Sequence, residues 1–249
     1  MDPIHQFQIW KLFPIAHIGS ADIAFTNSAL FMVLSVAAIV IFLLGSTRNR
    51  ALVPGRLQMA AELFYNFMAD ALRNAAGADA MGFFPLVFSL FMFILFANVL
   101  GLIPFFGFTV TSHIIITVAL ALLVFFTVII VGFWRHGLHF LRNFVPSGVP
   151  GYMLPLVVPI EVMSFFTRPV SHSIRLFANM LAGHITLQVF AGFITMLAAV
   201  GVIGWIGALL PLVMMVALTA LELLVAVLQA YVFAILTCIY LSEAIHPGH

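Results

Sequence analysis

The sequence predicts an all-α polytopic membrane protein. It should have about five membrane-embedded helices plus one interfacial amphipathic helix, the last two spanning helices long and strongly tilted. Three observations carry that reading. Of 249 residues, 64% are hydrophobic. Only 7% are Asp, Glu, Lys or Arg, against about 25% in a soluble domain. Mean hydropathy is +1.23. Nine basic and eight acidic side chains cannot clothe a water-soluble surface for this length. The apolar excess also excludes a disordered chain. A soluble enzyme, a nucleic-acid binder and a secreted disulfide scaffold are excluded on the same grounds. The one cysteine, Cys238, leaves no intrachain disulfide. A net charge of +1 points to no charged partner. Residues 1–249 read as a single membrane domain.

The first spanning helix is expected over 23–45, where an apolar run starts at Ile23 and fades near Leu44. About 20 apolar residues suffice to cross a bilayer. The stretch before it carries Asp2, Lys11 and Asp22, too polar for the leading region of a simple signal peptide, so this helix is expected to be retained. Gly45 to Arg50 and then Pro54-Gly55 punctuate the chain. Over 55–76, Glu62, Asn66, Asp70 and Arg73 fall on one stripe of a helix, with Leu57, Ala61, Phe64, Met68 and Leu72 on the apolar side. A solvated loop helix is the plainer alternative, but a side this rich in Phe, Leu and Met favours a helix lying in the membrane interface.

Residues 83–134 read as a helical hairpin. One spanning run extends from Phe83 to Ile103, a turn follows through Pro104 and Gly107, and a second run extends from Ile114 to Trp134. His136 and His139 follow among arginines; with no carboxylate or cysteine near, an interfacial solvated pair is favoured over a metal site. After the Pro146–Gly151 linker, residues 152–249 read as two long helices, roughly Pro155 to Leu197 and Leu209 to Ala244. A helix of that length is about twice the thickness of the hydrocarbon core, so it must tilt, bend or lie nearly in the membrane plane. Pro159 and Pro169 can bend the first.

Orientation follows from the basic residues. Arg48, Arg50, Arg56, Arg73, Arg135 and Arg142 fall in two loops on one side, and Lys11 alone on the other. The positive-inside rule makes the arginine side cytoplasmic, with the N-terminus outside and the C-terminus inside.

The charges left inside the long helices are the anomaly. An arginine at mid-bilayer costs about 2.5–3.5 kcal/mol on insertion scales, and its guanidinium stays protonated. Glu161, Arg168 and Arg175 are spaced by seven, close to two turns, so they share a face; His172 and Asn179 flank Arg175 on it. The stripe runs about 27 Å. On the last helix Glu222 and Gln229 make a matching stripe. Ala226 and Ala230 lie beside that one, as Ala178 and Ala182 lie beside Arg175. Small residues allow close approach of another helix. Two readings of Arg168 stay open, a functional charge or a side chain snorkelling to the cytoplasmic interface. For Arg175 the functional reading is favoured over a structural ion pair with Glu161 or Glu222.

The run from Arg168 through Arg175 and Asn179 to His184 (RPVSHSIRLFANMLAGH) resembles the signature of subunit a of the F-type ATP synthase. Asn98-Val-Leu-Gly-Leu-Ile-Pro104 is similar to an earlier helix motif of that family, and Leu228 to Ser242 to its final helix. The segments come in the family's order and cover essentially the whole chain. The resemblance implies a proton-channel stator subunit, with no catalytic site and no cofactor or metal of its own. Its partners would be a ring of proteolipid c subunits, the peripheral-stalk b subunits, the soluble F1 sector through the complex, and membrane lipid. Protons would be the transported ion and a bacterial inner membrane the location. By residue, Arg175 matches the essential arginine. Glu222, His184, Gln229, Asn98 and Asn179 match the outer half-channel, and Glu161, Ser164, Ser171, His172 and Arg168 the inner one. Many bacterial members carry an acid at the His184 position and a histidine at the Glu222 position. The exchange found in this chain suggests that His184 and Glu222 form one relay, since histidine titrates near neutral pH.

Two other classes fit the sequence less well. A self-contained proton-coupled transporter would need broken helices and an inverted repeat, and no repeat links the two halves. An intramembrane hydrolase would need a Ser/His or Asp/Asp pair in spanning segments, and no Asp occurs after Asp79.

Overall fold

The computed structural model describes residues 9–18, 21–48, 51, 53–103, 108–145 and 151–245. Asp2, Arg50, the 104–107 turn and the 146–150 linker lie outside the described residues, as do the side chains of Asp22 and Arg142. A hairpin of β1 (Lys11–Ile18) and β2 (Ala21–Thr26) precedes six α-helices: α1 (Asn27–Arg48), α2 (Arg56–Ala76), α3 (Phe84–Leu102), α4 (Ile114–His136), α5 (Leu154–Ala198) and α6 (Val202–Ile245). Among the described residues, five helical segments are long and apolar enough to cross a membrane, and the amphipathic α2 is not among them.

Two boundaries differ from the sequence reading. The first spanning helix begins at Asn27, because the residues from Ala21 to Thr26 pair antiparallel with β1. Its start is fixed by side chains. Thr26 Oγ1 accepts from the Ala29 N–H at 3.3 Å, an N-cap bond. Asn27 Oδ1 accepts from the Trp10 N–H at 3.2 Å, tying the helix to the chain before the hairpin. Thr26, Asn27 and Ser28 within the run from Ile23 are N-cap residue types, and the structure uses Thr26. The last helix starts at Val202 rather than near Leu209, so Gly204 and Gly207 lie within it.

By its contacts the chain forms two compact units. The first combines the hairpin, α1 up to Ile41, the chain from Phe93 to His113, and the chain from Leu176 to Gln229. Its core includes Ala97, Asn98, Val110, Thr111 and Ala226, none more than 1% exposed. The second combines the stretches Phe42–Met92, Ile114–Arg175 and Ala230–His249. There α2 buries Met68, Ala69, Leu72 and Ala76 and exposes Glu62, Asn66, Asp70 and Arg73, as the stripe predicts. Aromatic pairs fix its packing: Phe64 edge-on to Phe91 with centroids 5.9 Å apart, Tyr65 to Phe84 at 4.7 Å, and Phe125 to Phe165 at 5.1 Å. Such pairs contribute about 0.5–1.5 kcal/mol each beyond the area they bury.

The link from α5 to α6 is made by glycines with distinct roles. Gly201 has φ +99°, which L side chains rarely adopt. At Gly204 a Cβ would run into the backbone carbonyl of Leu197, which cannot swing aside as a side chain would. At Gly207 a Cβ would meet only Leu197 Cδ2, at 3.9 Å. Gly204→Ala is therefore expected to destabilise by about 1–3 kcal/mol. Gly207→Ala is expected to be neutral or stabilising by a few tenths, since alanine is the better helix former. Thermal melting of the detergent-solubilised chain followed by circular dichroism checks this; equal melting temperatures for the two variants would refute it.

Candidate functional site

The sequence-predicted residues fall into two clusters, one in each unit. In the first unit, Glu222 on α6 is only 8% exposed, and neither carboxylate oxygen has a hydrogen-bond partner among the described residues. It fits because α5 offers Gly183: a Cβ there would stand 2.5 Å from Oε1 and 2.9 Å from Cδ of Glu222. A carboxyl group so placed has both oxygens enclosed and without a protein donor among the described residues. The narrow surface on α5 is thus made by Gly183. Ala178 and Ala182, expected beside the polar stripe, are exposed instead, whereas Ala226 and Ala230 on α6 are fully buried.

His184, one residue after Gly183, is buried, and its Nε2 lies 2.5 Å from Thr109 Oγ1. Asn98 is fully buried on α3; its Oδ1 accepts from Thr111 Oγ1 at 2.6 Å and its Nδ2 donates to the Ala226 carbonyl at 3.4 Å. The relay expected between His184 and Glu222 is not a direct hydrogen bond, since Glu222 has no such partner and His184 turns Nε2 to Thr109. Gln229 is half-buried and Asn179 exposed. Gln188, one turn beyond His184, also holds a buried Oε1 without a partner.

In the second unit, Arg168 is held by two carboxylates. It makes a close ion pair with Glu243, and its Nη2 lies 3.9 Å from Glu161 Oε1. Its guanidinium stands over the rings of Tyr240, 5.2 Å from the centroid, and Phe165, at 5.8 Å. The seven-residue spacing places Glu161 on the face of Arg168, but carries no sign of Glu243. α6 continues to Ile245 and so carries Glu243 to Arg168. His172 is buried; its Nε2 donates to the Phe233 carbonyl at 3.4 Å and its ring lies 5.6 Å from that of Tyr240. Beside them a cavity of about 20 Å³, lined by Phe125, Phe165, Arg168, His172 and Tyr240 among others, has room for about one water. Ser164 and Ser171 are exposed. His136 donates from Nε2 to the Ile245 carbonyl at 2.9 Å, so it ties α4 to the end of α6.

Arg175 stands apart from both clusters in its pairing. It is exposed on α5 and makes no ion pair among the described residues. The residues that spacing alone missed are Thr109, Thr111, Gln188 and Glu243. Thr109 and Thr111 follow a turn and share no helical period with the stripes, so their partners were invisible. Glu243 had one available signal, its position three residues after Tyr240 on the last helix, which puts the two on one face.

Comparison with known proteins agrees with the resemblance. The family model described as ATP synthase A chain matches residues 29–242. The "ATP synthase subunit a" of Rhodopseudomonas palustris (strain BisA53) is 64% identical over 249 residues, covering all of both chains. That of Chelativorans sp. (strain BNC1) is 66% identical over 248 residues, covering all of this chain and 99% of its own. The "ATP synthase subunit a 1" of Bradyrhizobium sp. (strain BTAi1 / ATCC BAA-1182) is 67% identical over the full length of both. With five membrane-capable helices and this identity along its whole length, the chain belongs to the ATP synthase A chain family and is a subunit of the membrane sector of that complex.

Proposed function

We propose that this subunit is the stator of the proton channel, with Arg175 facing a ring of proteolipid c subunits and two aqueous half-channels meeting near it. The observation that carries the proposal is the state of Arg175: a permanently charged guanidinium, exposed on an apolar helix, with no ion pair among the described residues. In a membrane such a charge needs a counter-charge or water, and a carboxylate presented by a partner subunit supplies one. A rotor carboxyl group must be neutral in lipid, because a bare charge in low dielectric is very costly. Beside Arg175 its ionised form becomes tolerable, so the proton leaves toward the inner path. The fixed positive charge also repels protons from any continuous water path joining the half-channels. Lysine would serve less well, because it loses its proton readily when buried.

Glu222, His184, Asn98, Gln229 and Asn179 form the outer half-channel in this reading, supported by the unpaired carboxyl group of Glu222. Glu161, Arg168, His172, Ser164 and Ser171 form the inner one, supported by the ion-pair cluster around Arg168. α5 and α6 lie tilted along the ring. The subunit has no catalytic site of its own and also meets the b subunits, the F1 sector through the complex, and lipid. It sits in a bacterial inner membrane with its N-terminus periplasmic and its C-terminus cytoplasmic, the side that the arginine-bearing loops favour.

Each proton crossing releases about 2.3 kcal/mol per 100 mV, so a leak past Arg175 is a direct loss of drive. Arg175→Ala is expected to abolish ATP-driven proton pumping in inverted membrane vesicles while leaving the complex assembled. Pumping at the normal rate in that variant would exclude the assignment. For the relay, the double exchange His184→Glu with Glu222→His is expected to recover proton flux that each single change loses. A double variant no better than either single one would show that the two groups do not act together.

A further inference from the structure

We infer that Thr109 is the positioning residue of His184, and that the buried segment Thr109–Ser112 holds the outer half-channel histidine in one place through both of its protonation states. The inference rests on the reading of His184 as a proton-path group. The segment is rigidly kept. Phe108, Thr109, Val110, Thr111 and Ser112 are all buried, and Val110–Ser112 forms one 3-10 turn. Ser112 Oγ donates to the Thr109 carbonyl at 2.6 Å, which closes the turn on itself. Phe108 stacks on Phe31 of α1 with centroids 5.2 Å apart. Gly101 on α3 makes the space: a Cβ there would come within 2.9 Å of Thr109 Cβ and closer still to the rest of its side chain.

The two threonines have different duties. A carbonyl oxygen cannot donate, so the Thr111 proton is committed to Asn98 Oδ1. That bond fixes the Asn98 amide with its NH₂ toward the Ala226 carbonyl. The Thr109 hydroxyl carries one proton and two lone pairs. It donates to Nε2 when the ring holds its proton on Nδ1, and accepts when Nε2 itself is protonated. The 2.5 Å contact therefore survives gain or loss of a proton by the ring, with only the donor exchanged. An imidazole that must pass protons without changing place needs such an amphoteric neighbour. Valine, of nearly the same shape, gives none.

The test uses the intact complex in inverted membrane vesicles, with ATP-driven pumping normalised to assembled subunit. Thr109→Val keeps the shape and removes the hydroxyl, and pumping is expected to fall about five- to tenfold, the population change that one lost neutral hydrogen bond produces. Thr109→Ser restores the hydroxyl without the methyl and is expected to recover most of that loss. Normal pumping by Thr109→Val overturns the inference. So does an equal loss in both variants, which would mark Thr109 as a packing residue. Where Thr109→Val fails to assemble, ¹⁵N-histidine NMR of the unaltered complex decides, with His184 assigned by its absence in His184→Ala. An Nε2 shift displaced by hydrogen bonding supports the inference, and a free Nε2 overturns it. Normal pumping by His184→Ala would instead remove the role of His184 itself, while the NMR shift still reports whether Thr109 holds the ring.

Discussion

A charge in an apolar medium must be met, and most of this structure follows from how each charge is met. The long helices α5 and α6 carry five charged side chains among residues suited to lipid. Arg168, Glu161 and Glu243 meet one another, with the rings of Tyr240 and Phe165 beside the guanidinium. Glu222 is buried against Gly183, and neither oxygen of its carboxyl group has a hydrogen-bond partner among the described residues. Arg175 is exposed and makes no ion pair among the described residues.

Close approach between helices is the second constraint, and it is set by residues with little or no side chain. Gly183 lets the Glu222 carboxyl group lie against the α5 backbone, Gly101 lets Thr109 lie against α3, and Ala226 is fully buried where Asn98 reaches its carbonyl. Van der Waals packing and a few interhelical hydrogen bonds hold helices together where the lipid offers no hydrophobic drive. The polar network of Asn98, Thr109, Thr111 and His184 is fully buried and almost wholly satisfied, so it fixes a unique arrangement rather than adding gross stability. The carboxylate oxygens of Glu222 and the Oε1 of Gln188 are the buried atoms left without a partner among the described residues.

How much was legible in the sequence depended on whether the signal was local. The spanning helices were legible because each is a long apolar run, and α2 because its polar residues repeat at the helical period. Glu161, Arg168, Arg175 and Glu222 were legible because a charge is conspicuous against so apolar a background. The family was legible because the run from Arg168 to His184 is continuous. The start of α1 was less so: Thr26 is an N-cap type, but the pairing of β2 with β1 that keeps Ala21–Thr26 extended is not local. The glycine facing Glu222 was not legible, because the sequence contains many glycines and nothing local distinguishes Gly183.

The sequence by itself determined that this is a membrane protein, which segments cross, which charges are anomalous and which family it joins. Each of these rests on composition or on residues within a few turns of one another. The tertiary structure alone decided who partners whom. It gave Arg168 to Glu243 and His184 to Thr109, left Glu222 without a hydrogen bond, and turned Arg175 outward. Those choices join residues up to 75 positions apart. Helical periodicity fixes which face a side chain is on, but not which distant segment comes to lie against that face.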